Sequence, residues 1–111
     1  MDIARLFDIS GKTALVTGGS GGIGYMIATA LAQAGCKVFI CSRKEKDIEA
    51  AADRLRAFGD VTAIASDVGS EAGVTKVADV VNAAGPLHIL VNNAGTTWGA
   101  PLDQFPRAGF E

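Results

Sequence analysis

The run Thr17-Gly18-Gly19-Ser20-Gly21-Gly22-Ile23-Gly24 constrains this chain more than any other eight residues. It holds five glycines and lies between the apolar segment Ala14-Leu15-Val16 and a stretch patterned as a helix. Glycine has no Cβ, so its backbone reaches left-handed φ values and comes close to other groups. A strand that ends in glycines and turns directly into a helix offers unpaired N–H groups and about half a positive charge at the helix start. That combination suits a phosphate, and here it reads as a cradle for the pyrophosphate of a dinucleotide. Packing alone does not account for so many glycines in so short a turn.

Four short β-branched or aliphatic runs, Thr13 to Thr17, Lys37 to Cys41, Val61 to Ser66 and His88 to Asn92, recur at roughly 25-residue intervals. Helical patterns fill the gaps. The first, Gly22 to Ala34, aligns Ile23, Ile27, Ala30, Leu31 and Ala34 on one stripe and stops at Gly35, a residue suited to the position after a helix. The second, Glu45 to Phe58, aligns Ile48, Ala51, Ala52 and Leu55 and stops at Gly59. The third takes Ser70 as N-cap with Glu71 in its first turn, aligns Val74, Val77, Ala78 and Val81, and halts at Gly85-Pro86.

The strands are near-continuous apolar runs without period-two alternation, which fits strands covered on both faces. Alternating strands and helices with right-handed crossovers then predict an α/β chain with a Rossmann-type parallel sheet, βαβαβαβ in spatial order 3-2-1-4. After Gly95 the pattern dissolves. Residues 1–111 thus read as a single nucleotide-binding domain, an incomplete doubly wound fold truncated after strand 4, with that strand left as an edge.

Composition excludes other classes. Apolar content of 49% with 20% charged residues is globular, and a net charge of −2 offers no surface for nucleic acid. No apolar stretch approaches the roughly 20 residues that cross a bilayer, and Asp2 and Asp8 interrupt the N-terminus, so the reading is cytoplasmic with no membrane partner. Cys36 and Cys41 flank or end a strand and read as small, reduced hydrophobes. With only His88 to join them, no metal site is expected.

Gly19-Ser20-Gly21-Gly22-Ile23-Gly24 matches the spacing G-x-G-x-x-G, and its context between strand and helix strengthens the match. The second strand ends about 20 residues downstream, where a nucleotide-binding unit reads the ribose 2′ substituent. An NAD-selecting acid is missing there; Ser42-Arg43-Lys44 stand in its place. A carboxylate would repel a 2′-phosphate, whereas Ser42 can donate to it and Arg43 can pair with it bidentately. NADP is therefore favoured over NAD.

At this point the chain resembles the short-chain dehydrogenase/reductase family. Thr17-Gly18-x-x-x-Gly22-x-Gly24 fits its glycine motif, Asp67-Val68 its adenine-contacting pair, and Asn92-Asn93-Ala94-Gly95 its motif after strand 4. The segment from Asn92 to Pro101 is most similar to NADP-dependent 3-oxoacyl reductases, including the type found in rhamnolipid pathways. The resemblance implies that Gly18, Ser20, Gly21 and Ile23 line the phosphates and ribose, beside the motif glycines Gly22 and Gly24. It implies that Asp67 bonds the adenine amino group with Val68 adding a backbone contact, and that Asn93, Ala94 and Gly95 border the nicotinamide-side ribose. The implied activity is an NADP-dependent oxidoreductase acting on a small carbonyl or alcohol substrate.

The resemblance covers essentially this whole chain but only the first half of the family's usual length. Family members use a Tyr with a Lys four residues later and a Ser that orients the carbonyl. The only Tyr here is Tyr25, followed four places on by Thr29; no Ser follows Ser70 and no Lys follows Lys76. No catalytic residue is assigned, and the chain is expected to be a fragment, inactive alone. The alternative is a non-catalytic nucleotide-binding or interaction module that needs a partner. Relatives that prefer NADP often carry a basic residue where Gly21 stands, which leaves Arg43, with Lys44 as a second candidate, to carry the preference. Trp98 and Phe105 read as loop packing near the cofactor mouth, and the oligomeric state is left open.

Overall fold

A computed structural model describes residues 3–93. The elements run α1 (Ile3–Leu6), β1 (Thr13–Thr17), α2 (Gly22–Gln33), β2 (Lys37–Ser42), α3 (Glu45–Leu55), β3 (Asp60–Ala65), α4 (Glu71–Ala83) and β4 (Ile89–Asn92). The four strands form one parallel sheet in the order β3-β2-β1-β4, as the alternation predicts. Because β1 and β2 are inner strands with helices on both faces, their side chains are buried almost throughout.

The strands feed two cores. Ala14, Val16, Val38, Ile40 and Val61 face α2 and α3, meeting Ala28, Ala32, Ile48, Ala51 and Leu55. The alternate positions Leu15, Phe39, Cys41 and Ile64 face α4, where Val77 and Val81 cover them. This division follows from the crossovers. Two right-handed steps from β1 to β3 put α2 and α3 on one face; the step back past β1 to β4 puts α4 on the other.

Helix ends follow their sequence signals. Beyond α2, the N–H of Cys36 reaches Leu31 O and that of Gly35 reaches Ala32 O, a closing pair made possible by φ +90° at Gly35. Ser70 caps α4 by accepting from the Gly73 N–H at 3.0 Å. Helix α3 stops at Leu55 rather than Phe58, because Ala57 and Phe58 tighten into bonds to the carbonyls three residues back. Gly59 is required for space: a Cβ there would lie 2.7 Å from Ala32 O.

The apolar stripe of α2 departs from the sequence reading. The buried residues are Gly24, Ala28 and Ala32, with Ile27 and Leu31 half-buried beside them. Ile23 is 67% exposed, and Ala30 and Ala34 also face outward. A row of small residues at i, i+4 and i+8 lets the helix axis settle close to the sheet, and the larger side chains pack along its flanks. On α4, Ala78 likewise turns outward while Gly73 joins Val77 and Val81 inside.

Strand β4 begins at Ile89, one residue later than expected, because His88 serves as its anchor. The His88 N–H donates to Thr13 O at 3.0 Å, and the Thr13 N–H donates to His88 Nδ1 at 3.0 Å. Cys36 and Cys41 are buried free thiols. Among the described residues, no helix is long and apolar enough to cross a membrane, and no group of three or more His, Cys, Asp or Glu could hold a metal ion.

Candidate functional site

All four parallel strands point their C-terminal ends to the same end of the sheet, and the turns that leave β1, β2 and β3 there carry most of the candidate residues. The first loop is the glycine turn. Gly18 and Gly22 take φ values of +69° and +58°, in the left-handed region that side chains disfavour. The Gly18 N–H donates to Cys41 O at 2.8 Å, tying the turn to the end of β2. A Cβ at Gly19 would come within 2.8 Å of Ile40, so the turn lies flat on the sheet.

Gly21 is the N-cap of α2, with extended backbone and no side-chain cap. A Cβ at Gly21 or Gly22 would meet nothing within 4 Å, so the helix start opens to solvent. Gly24 is enclosed instead: its Cβ would overlap Gly18 O and lie 2.6 Å from Asn93 Nδ2. Ser20 is half-buried on the turn, and the Ile23 side chain is exposed in the first turn of α2.

Strand β4 is laced to this turn. The Asn93 N–H donates to Thr17 Oγ1 at 2.9 Å, the Thr17 hydroxyl lies 3.2 Å from Asn92 Oδ1, and Asn93 Nδ2 donates to Gly18 O at 3.5 Å. Asn93 therefore sits against the glycine turn. Ala94 and Gly95 lie outside the described residues, as do Trp98 and Phe105.

At the end of β2, Ser42 Oγ accepts from the Lys44 N–H at 3.4 Å. Arg43 and Lys44 are exposed at the start of α3, whose N-cap Lys44 makes no side-chain cap. At the end of β3, Asp67 is exposed with Oδ1 accepting from the Gly69 N–H at 2.8 Å, while Val68 packs against the second core. His88, which opens a buried strand and reads from the sequence as structural, docks β4 through Thr13, and Thr17 of the glycine motif docks its other end through the Asn93 N–H.

A concavity lies on the α4 face of the sheet. It is an apolar groove of about 270 Å³ lined by Leu15, Val74, Val77, Val81, Leu87 and Leu90, with Thr17 and Asn92 at one end. The lone Tyr25 is half-buried in α2 beneath the Arg54 guanidinium, 5.4 Å from the ring centre, and packs on the first core. Burial pushes the Cys41 thiol up to about 11 and raises that of Cys36, so both stay protonated at neutral pH.

Residues 12–111 match the family described as short chain dehydrogenase. Among curated relatives, the rhamnolipids biosynthesis 3-oxoacyl-acyl-carrier-protein reductase of Pseudomonas aeruginosa is 52% identical over 109 residues, covering 95% of this chain and 41% of that protein. Gluconate 5-dehydrogenase of Gluconobacter oxydans is 37% identical over 108 residues, covering 96% and 42%. Among solved structures, the Pseudomonas aeruginosa RhlG/NADP active-site complex superimposes with a TM-score of 0.76 at 50% identity, over 81% of this chain and 37% of that one. L-Sorbose reductase from Gluconobacter frateurii, complexed with NADPH and L-sorbose, gives a TM-score of 0.77 at 35% identity, over 91% and 40%. The chain spans about two fifths of the length of these curated relatives.

Proposed function

The chain belongs to the short-chain dehydrogenase family, and from that premise we propose that it is the cofactor-binding half of an NADP-dependent carbonyl reductase or alcohol dehydrogenase. The observation that carries this reading is the glycine turn. Gly18 and Gly22 adopt left-handed φ values, and the uncapped start of α2 opens at Gly21 and Gly22 with room for a group to approach the backbone. Gly18, Ser20, Gly21, Gly22, Ile23 and Gly24 form the pyrophosphate and ribose cradle. Asp67 and Val68 take the adenine, and Asn93, with Ala94 and Gly95, borders the nicotinamide-side ribose.

Ser42 and Arg43 select the 2′-phosphate. The Ser42 oxygen already accepts from Lys44, which leaves its O–H to donate, and the exposed Arg43 guanidinium can reach an anion bidentately. When bound, the cofactor supplies a hydride at its nicotinamide. This chain's residues bind and orient it; Tyr25 lies under the Arg54 guanidinium and packs on the first core. The substrate of the whole protein is a ketone or a 3-oxoacyl group, as in the 52%-identical relative.

Thermal melts with millimolar NADPH or NADH test the reading. The melting temperature rises more with NADPH, and Arg43→Ala removes the difference, corresponding to a loss of about tenfold or more in NADPH affinity with little change for NADH. Equal shifts in the unsubstituted chain would refute the preference; no shift with either would refute cofactor binding by this chain.

A further inference from the structure

The turn between β3 and α4 is fastened more tightly than a connecting loop requires. Ser66, buried at the end of β3, donates its hydroxyl to Gly73 O at 2.8 Å and its N–H to Ser42 O at 2.9 Å. The Asp67 carbonyl accepts from the Ser70 N–H at 3.2 Å and from the Ser70 hydroxyl at 3.1 Å, while Ser70 Oγ accepts from the Gly73 N–H. The Asp67 carboxylate is itself held by the Gly69 N–H, and Val68 is seated in the core. Gly73 lies so close beneath the turn that a Cβ there would overlap the Asp67 carbonyl.

We propose that Ser66 and Gly73 are positioning residues that hold the Asp67 carboxylate in register with an adenine amino group and thereby make the site specific for adenine over hypoxanthine. The inference rests on Asp67 reading the base, as given under the proposed function. The chemistry turns on register. Adenine presents a donor on its exocyclic nitrogen; hypoxanthine presents an acceptor at that place and a donor one ring position away, at N1. A carboxylate fixed opposite the exocyclic group meets a donor in one base and an acceptor in the other, and discriminates strongly. A carboxylate free to slide would follow the N1 donor and accept both. Asp67 is of the fixed kind, because its carbonyl, its carboxylate and the following side chain are each tied down.

The test is calorimetric titration of the chain with NADPH and with its hypoxanthine analogue. The unsubstituted chain binds NADPH about tenfold or more tightly than the analogue. Ser66→Ala and Gly73→Ala bring that ratio to about threefold or less, and Ser66→Thr, which retains the hydroxyl, restores it. If Gly73→Ala does not fold, Ser66→Ala carries the test, with circular dichroism confirming its fold. An unchanged ratio in a folded Ser66→Ala, whatever its melting temperature, overturns the inference and leaves the cofactor reading standing. Equal affinity of the unsubstituted chain for both bases overturns the role of Asp67 and the inference with it. Binding of neither dinucleotide overturns the cofactor reading itself.

Discussion

Two glycines three residues apart in the same turn do opposite work. Gly24 is glycine because nothing else fits between Gly18 O and Asn93 Nδ2, whereas Gly21 faces open space in extended backbone that any residue adopts. Gly24→Ala is therefore expected to cost about 1–3 kcal/mol in urea unfolding, as overpacking does. Gly21→Ala should stay within about 0.5 kcal/mol of the parent and still reduce the NADPH-induced melting shift, since its methyl would stand at the approach to the helix start. Cys41 sets a pH dependence. Its thiol rises from the ordinary 9.0 to about 11 because burial disfavours the thiolate, outweighing the opposing pull of the Gly18 backbone. A folded-state value raised above the unfolded one makes a contribution that is complete below pH 9 and lost as pH climbs toward 11. Urea midpoints measured across that range should fall, and Cys41→Ala should flatten the fall.

At the scale of elements, α2 shows how a sound periodicity misassigns a face. Its bulky residues predicted the buried stripe, yet the sheet takes the small row Gly24, Ala28 and Ala32 and leaves Ile23 outside. The helix must begin within the glycine turn and end where Gly59 of the neighbouring loop presses on Ala32 O, and both contacts demand close approach. Ala28→Leu should destabilise by about 1–3 kcal/mol in chemical denaturation, whereas Ala30→Leu on the exposed side should change stability by less than about 0.5 kcal/mol. Helix α3 had no such conflict. Its predicted stripe Ile48, Ala51, Ala52 and Leu55 is fully buried, because nothing but ordinary packing against the sheet fixes its height.

Across the whole molecule, the two sheet edges are treated differently. On β3, Arg56 Nε donates to Val61 O at 3.0 Å and Lys76 Nζ to Ala65 O at 2.6 Å, so basic side chains cap carbonyls that could otherwise pair with another strand. On β4, Leu90 is 61% exposed over the apolar groove. The isolated chain should therefore associate as its concentration rises, and Leu90→Lys should shift sedimentation toward monomer without lowering the melting temperature. Strand order, the cap at Ser70, the breaks at Gly35 and Gly85 and the glycine turn could all be read along the chain, because each depends on residues adjacent in sequence or on the handedness of a crossover. The lacing of Asn93 and Thr17 to that turn, the anchoring of β4 by His88 and Thr13, the face that α2 buries and the clamp in which Gly73, bonded by Ser66, packs beneath the Asp67 carbonyl were decided only by the tertiary structure. Three of them join different elements, two across separations of 75 or 76 residues, and the clamp turns on the room left beneath a turn. Periodicity carries no information about such distances, whereas packing at close range fixes them.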